Sequence, residues 1–79
     1  MSLEEIIKKI EMIFREVIED SNLVINYETN SDDIDEWDSL TNIELIIAIE
    51  KEFNITFDLS EFYKFKNVGQ MSEWIKTQF

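Results

Sequence analysis

The sequence has no cysteine, no histidine, no proline and a single glycine, Gly69. Without Cys or His the usual soft-metal sites are excluded, as are Cys–His and Ser–His–Asp nucleophile systems. No disulfide can form, so the fold must rest on packing. A reducing cytoplasm suits such a chain and is its expected location. Sheet proteins with many tight turns use more Gly and Pro than this, so helices are favoured. No apolar run approaches membrane-spanning length. The N-terminus is acidic and amphipathic rather than basic and then apolar, which is unlike a signal peptide.

Basic residues are also missing from one long stretch. No Lys or Arg lies between Arg15 and Lys51, and that interval holds Glu16, Glu19, Asp20, Glu28, Asp32, Asp33, Asp35, Glu36, Asp38, Glu44 and Glu50. Outside it seven acids balance seven bases, so the net charge of −11 sits on one contiguous part of the chain. Nucleic acid and anionic membrane would be repelled by such a surface. A protein partner with a basic patch would be attracted and steered.

What is present is enough for one small core. The chain has 79 residues, of which 44% are apolar. That suits a single folded domain over residues 1–79 and leaves little room for the buried cleft of a two-substrate enzyme. The apolar residues recur at helical spacing. Leu3, Ile6, Ile7, Ile10, Ile13, Phe14, Val17 and Ile18 mark a first helix over about Leu3 to Asp20. Ser2 and Glu5 are placed to form its capping box. A second helix is expected from Ser39 to Phe53 with Asp38 as N-cap. A short third helix is expected over about Ser60 to Lys64 or Phe65. A last helix is expected from Val68 to Gln78, capped by Asn67 with Gln70 at the reciprocal position. Residues 21–38 follow neither periodicity and are rich in Asn and Asp, which favour turns. Their apolar anchors, Leu23, Val24, Ile25, Tyr27, Ile34 and Trp37, point to a long first loop packed across the bundle. The fold class is therefore all-α: three main helices, one short helix and a long first loop.

The chemistry-bearing segment is Asp38-Ser39-Leu40. Asp38 spends its carboxylate on the cap, which leaves the Ser39 hydroxyl free in the first turn. The unpaired amides and the dipole of that turn favour an anionic group there. Leu40 is expected to fix the turn against the core.

Glu36-Trp37-Asp38-Ser39-Leu40, followed by Ile43 to Glu50 and Glu52-Phe53, and then Val68-Gly69-Gln70-Met71 with Trp74-Ile75, resembles the acyl carrier protein family. The resemblance covers nearly the whole chain. It implies a carrier, not an enzyme. Ser39 would take a 4'-phosphopantetheine arm from coenzyme A, delivered by a phosphopantetheinyl transferase, with Asp38 and Leu40 flanking the attachment. Acyl intermediates would then ride as thioesters between partner enzymes. The resemblance implies that Glu44 and Glu50 meet basic residues on those enzymes, with Asp35 and Glu36 extending the acidic surface. It also implies that Ile43, Ile47, Phe57, Phe62 and Phe65 line an acyl pocket. The large Phe residues lead us to expect a short or polar cargo. No metal site is expected.

Some positions depart from the family's fatty-acid members. Thr41 and Lys51 stand where acids are usual, Asp58 where Pro is frequent, and Trp37 where a small residue is common. These features suggest a specialised biosynthetic pathway, with a D-alanyl or aminoacyl carrier as the alternative. A rival from another class is an acidic helical adaptor that uses the Glu44 face and has no need of Ser39. An EF-hand reading fails, because Trp37 and Asp38 fall at the loop positions that need an oxygen ligand and a Gly. No heptad seam demands an oligomer, so a monomer is expected.

Overall fold

The computed structural model describes the backbone of residues 1–79 and the side chains of all but Leu59 and Glu61. Four α-helices appear in order: α1 (Leu3–Ile18), α2 (Ser39–Phe53), the short α3 (Leu59–Phe62) and α4 (Val68–Lys76). A single 3-10 turn, Ser31–Asp33, interrupts the first loop. No strand occurs among the described residues.

Helix α1 starts where local chemistry dictates. The Glu5 N–H donates to Ser2 Oγ at 3.2 Å and the Ser2 N–H to Glu5 Oε1 at 3.2 Å, a complete capping box. It ends at Ile18 rather than Asp20, because Glu19 turns left-handed at φ 61° and closes the helix with its N–H on the Arg15 carbonyl. Asn54 ends α2 in the same way at φ 54°, a conformation Asn tolerates better than most residues. Helix α3 is shifted and shorter than expected, and α4 stops at Lys76. The Gln70 carboxamide reaches one residue beyond the cap, accepting from the Lys66 N–H at 2.9 Å instead of from Asn67.

Helix α1 packs against both α2 and α4. Ile6, Ile10, Ile13 and Phe14 of α1 meet Leu45, Ile46, Ile49 and Phe53 of α2 and Val68, Met71 and Ile75 of α4, all buried. Ile25 and Ile34 bring the first loop into the same core. The loop is held by named bonds. Arg15 Nε donates to the Leu23 carbonyl at 2.7 Å, and the Ile25 N–H donates to Glu11 Oε2 at 2.8 Å.

The loop also caps α4. The Val68 N–H donates to the Thr29 carbonyl and the Gly69 N–H to the Tyr27 carbonyl, each at 2.8 Å. Asn67 Oδ1 takes the Gln70 N–H at 2.8 Å. The first three amides of α4, which no helical carbonyl can reach, are thus all paired. Gly69 is required here by close approach: a Cβ on it would overlap the Tyr27 ring. The Tyr27 hydroxyl continues across α4 to donate to Glu73 Oε2 at 2.7 Å.

Candidate functional site

The loop delivers the chain to the start of α2. Asp38 is extended, and its Oδ1 accepts the Thr41 N–H at 2.9 Å while its carbonyl accepts the Asn42 N–H at 2.8 Å. The Thr41 N–H, and then the Thr41 side chain, hold the Asp38 carboxyl below the ordinary value of 3.8. Ser39 is therefore the first helical residue. It is exposed, and its hydroxyl has no hydrogen-bond partner among the described residues.

Beside Ser39 lies an open cleft of about 400 Å³. Ser31, Asp38, Ser39 and Asn42 give it polar walls, and Trp37, Phe62, Tyr63 and Phe65 give it aromatic ones. It adjoins a smaller pocket of about 60 Å³ that runs toward Lys66, Asn67 and Met71. Ser31, Trp37, Phe62 and Phe65 line both spaces. Trp37 is fixed on two sides. Its ring meets Phe14 edge-on with centroids 4.9 Å apart, and its Nε1 donates to Asn42 Oδ1 at 2.8 Å.

Several expected positions fall elsewhere. Leu40 is 69% exposed and does not anchor the turn in the core. Ile43 and Ile47 are 52% and 57% exposed and line neither space. The reason is that apolar residues stand on every side of α2, interleaved with polar ones. Leu45, Ile46, Ile49 and Phe53 take the buried face, which turns Leu40, Ile43 and Ile47 outward. Phe57 is core, stacked on Trp74 with centroids 5.0 Å apart and edge-on to Phe62 at 5.1 Å. Of the five residues expected to line an acyl pocket, only Phe62 and Phe65 face the spaces near Ser39.

The acids also divide. Asp35, Glu36 and Glu44 are exposed. Glu50 is half-buried and also has an internal role: its Oε2 accepts the Phe57 N–H at 2.8 Å, and its carbonyl accepts the Ile55 N–H at 3.1 Å. It staples the segment between α2 and α3. Ser31, Asn42 and Tyr63 were not foreseen as site residues. Their place depends on the path of the loop and of α3, which no local spacing encodes. Among the described residues no group of His, Cys, Asp and Glu is arranged to hold a metal ion.

The family model for the phosphopantetheine attachment site matches residues 8–75. The chain belongs to the acyl carrier protein family. It is 40% identical over 75 residues to an acyl carrier protein of Cyanidium caldarium, a match covering 91% of this chain and 84% of the relative. Its fold superposes on the solution structure of holo acyl carrier protein from Geobacter metallireducens with a TM-score of 0.83 and 38% identity. That match covers 90% of this chain and 82% of the other. The protein is thus a carrier and not an enzyme, with 4'-phosphopantetheine as its covalently attached prosthetic group. Its partners include a phosphopantetheinyl transferase and biosynthetic enzymes. No helix among the described residues is long and apolar enough to cross a membrane.

The residues at the start of α2 fit such a group. An unpaired, exposed hydroxyl suits a phosphodiester link, and a cleft with mixed polar and aromatic walls suits an arm that alternates amides with methylenes.

Proposed function

We propose that Ser39 is the attachment residue and that the protein presents short acyl groups to its partner enzymes from the cleft beside it, with residues 1–79 acting as one carrier domain. The observation that carries this reading is the free Ser39 hydroxyl at the first turn of α2, opening onto a cleft that can receive an arm. Within an enzyme complex, Ser39 Oγ forms the new bond to phosphorus of coenzyme A as the diphosphate P–O bond breaks. The adenosine bisphosphate half leaves with that bonding pair. The hydroxyl proton passes to a base on the transferase, since the Ser39 hydroxyl has no hydrogen-bond acceptor among the described residues. Once attached, the arm supplies a terminal thiol that holds acyl groups as thioesters.

The rest of the chain prepares this position. The Asp38 cap holds the turn and leaves the Ser39 hydroxyl unused. The phosphodiester would lie at the positive end of the α2 dipole. The exposed stripe of Leu40, Ile43 and Ile47, bordered by Glu44, forms a surface with an apolar centre and an acidic rim. Together with Asp35 and Glu36 it suits an enzyme face that combines an apolar patch with Lys or Arg. Thr41 and Lys51 reduce the acidity of this face, which supports a specialised pathway over the fatty-acid one.

The test is intact mass after incubation with coenzyme A, magnesium and a promiscuous phosphopantetheinyl transferase. Wild type gains one phosphopantetheinyl group and Ser39→Ala gains none. A folded, initially unmodified wild type that gains nothing with two different transferases sinks the reading and favours the adaptor.

A further inference from the structure

The two spaces near Ser39 differ in size and share four lining residues, Ser31, Trp37, Phe62 and Phe65. Trp37 lines the open cleft of about 400 Å³ and also the pocket of about 60 Å³ behind it. Phe62 and Phe65 line both spaces with it. An apolar cavity that takes up a benzene ring measures ~150 Å³. The smaller pocket, at about 60 Å³, is less than half of that and has room for only a short tail.

The indole cannot easily give way. Phe14 holds one edge of the ring inside the core. Asn42, one turn into α2, holds the other through its carboxamide oxygen. Rotating the ring outward would exchange the bond to Asn42 for one to water, break the edge-on pair with Phe14 and expose the apolar indole face. Asn42 itself faces the cleft, so the bond lies at the mouth of the path.

We infer that Trp37, latched by Asn42, sets the longest acyl group this carrier can shelter, restricting it to short straight chains. The inference rests on attachment at Ser39 and adds the size of the cargo. Trp37 acts as a specificity-determining wall, and Asn42 is a positioning residue that acts through it. Acetyl and butyryl tails enter the inner pocket and draw their thioesters into the cleft. An octanoyl tail does not fit, and its thioester stays in water.

The experiment loads the protein from acetyl-, butyryl-, octanoyl- and dodecanoyl-coenzyme A with a promiscuous transferase. Cleavage of each thioester by hydroxylamine is then followed by intact mass. Wild type protects butyryl best and leaves octanoyl and dodecanoyl as reactive as free pantetheine thioesters. Trp37→Ala protects octanoyl better than butyryl. Each further methylene sheltered multiplies the protected-to-exposed ratio by about fourfold, so the octanoyl lifetime rises by about tenfold or more. Asn42→Ala, which keeps the ring on Phe14 but removes its acceptor, moves the limit in the same direction by a smaller factor. Asn42→Asp, which keeps an acceptor oxygen at the same place, returns toward wild type.

An unchanged order of protection in Trp37→Ala overturns the inference. If that variant does not fold, an unchanged octanoyl lifetime in Asn42→Ala overturns it instead. Loading that survives in a Ser39→Ala control would show failure of the attachment reading at the mass step, before any cleavage rate is measured.

Discussion

Glu50 offers a prediction that separates two roles for one carboxylate. Its position on α2 suits a partner contact, yet its Oε2 is committed to the Phe57 N–H at 2.8 Å and the residue is half-buried. Replacing it by Ala removes a charge-assisted bond, worth about 1.5–3 kcal/mol. It also strands the amide of Phe57, whose residue is only 5% exposed, and an unpaired buried amide costs about 1–3 kcal/mol. The two figures describe the same loss from opposite sides and are not summed. Some of the loss returns if water reaches the amide. The expected destabilisation of Glu50→Ala is therefore about 2 kcal/mol. Urea unfolding followed by circular dichroism measures it as a lower midpoint at unchanged slope. Glu50→Gln, which still offers an acceptor, should lose about half as much. Under conditions where both proteins are folded, the rate of enzymatic modification should stay near wild type. Glu44→Lys should do the opposite: stability within about 0.5 kcal/mol, but modification slowed in a salt-dependent way. A Glu50→Ala protein of wild-type stability that is modified slowly would refute the staple and restore Glu50 to the docking face.

Two further predictions concern the scaffold. Gly69→Ala should cost about 1–3 kcal/mol, since the new methyl overlaps the Tyr27 ring and forces the loop off α4. Hydrogen exchange should show the Val68 and Gly69 amides, which donate to loop carbonyls, losing protection more than the α1 amides; uniform loss would contradict a local loop displacement. The acid limb of stability should follow the two helix caps. The Ser2 N–H and hydroxyl hold Glu5 below its ordinary 4.5, and the Thr41 N–H and side chain hold Asp38 below its ordinary 3.8. Groups depressed in the folded state contribute fully above their ordinary values, and that contribution is lost as pH falls through the lower folded values. Asp38→Asn keeps a capping oxygen without the charge. It should flatten the decline in urea midpoint below about pH 4, whereas an unchanged slope would assign the decline to other carboxylates.

The parts of the fold that could be read directly are those written in local spacing. The Ser2–Glu5 box, the Asp38 and Asn67 caps and the full span of α2 each depend on residues within a turn of one another. The end of α1 is less legible: its last apolar residue is Ile18, but nothing in composition marks Glu19 as the left-handed residue that stops the helix short of Asp20. Helix α2 was harder, because with apolar residues on every side its period does not say which face is buried. The family resemblance puts Ile43 and Ile47 in the acyl pocket, whereas packing against α1 leaves them facing outward. Glu50 looked like any surface acid, since its partner amide lies seven residues on, across an irregular segment. Trp37 stood out as an unusual residue for the family, but its bond to Asn42 and its contact with Phe14 come from tertiary placement.

The central claim is that the arm is attached through the Ser39 hydroxyl, and site-resolved mass spectrometry tests it most directly. Cleavage after Arg15 and Lys51 releases a single peptide that contains Ser21, Ser31 and Ser39, so fragmentation must resolve the three. Ser31 is the informative competitor, because it too lines the cleft. The structure predicts that the whole added mass of the holo protein maps to Ser39 and to no other residue. Added mass on Ser31 or Ser21, or outside this peptide, would contradict the account at its base.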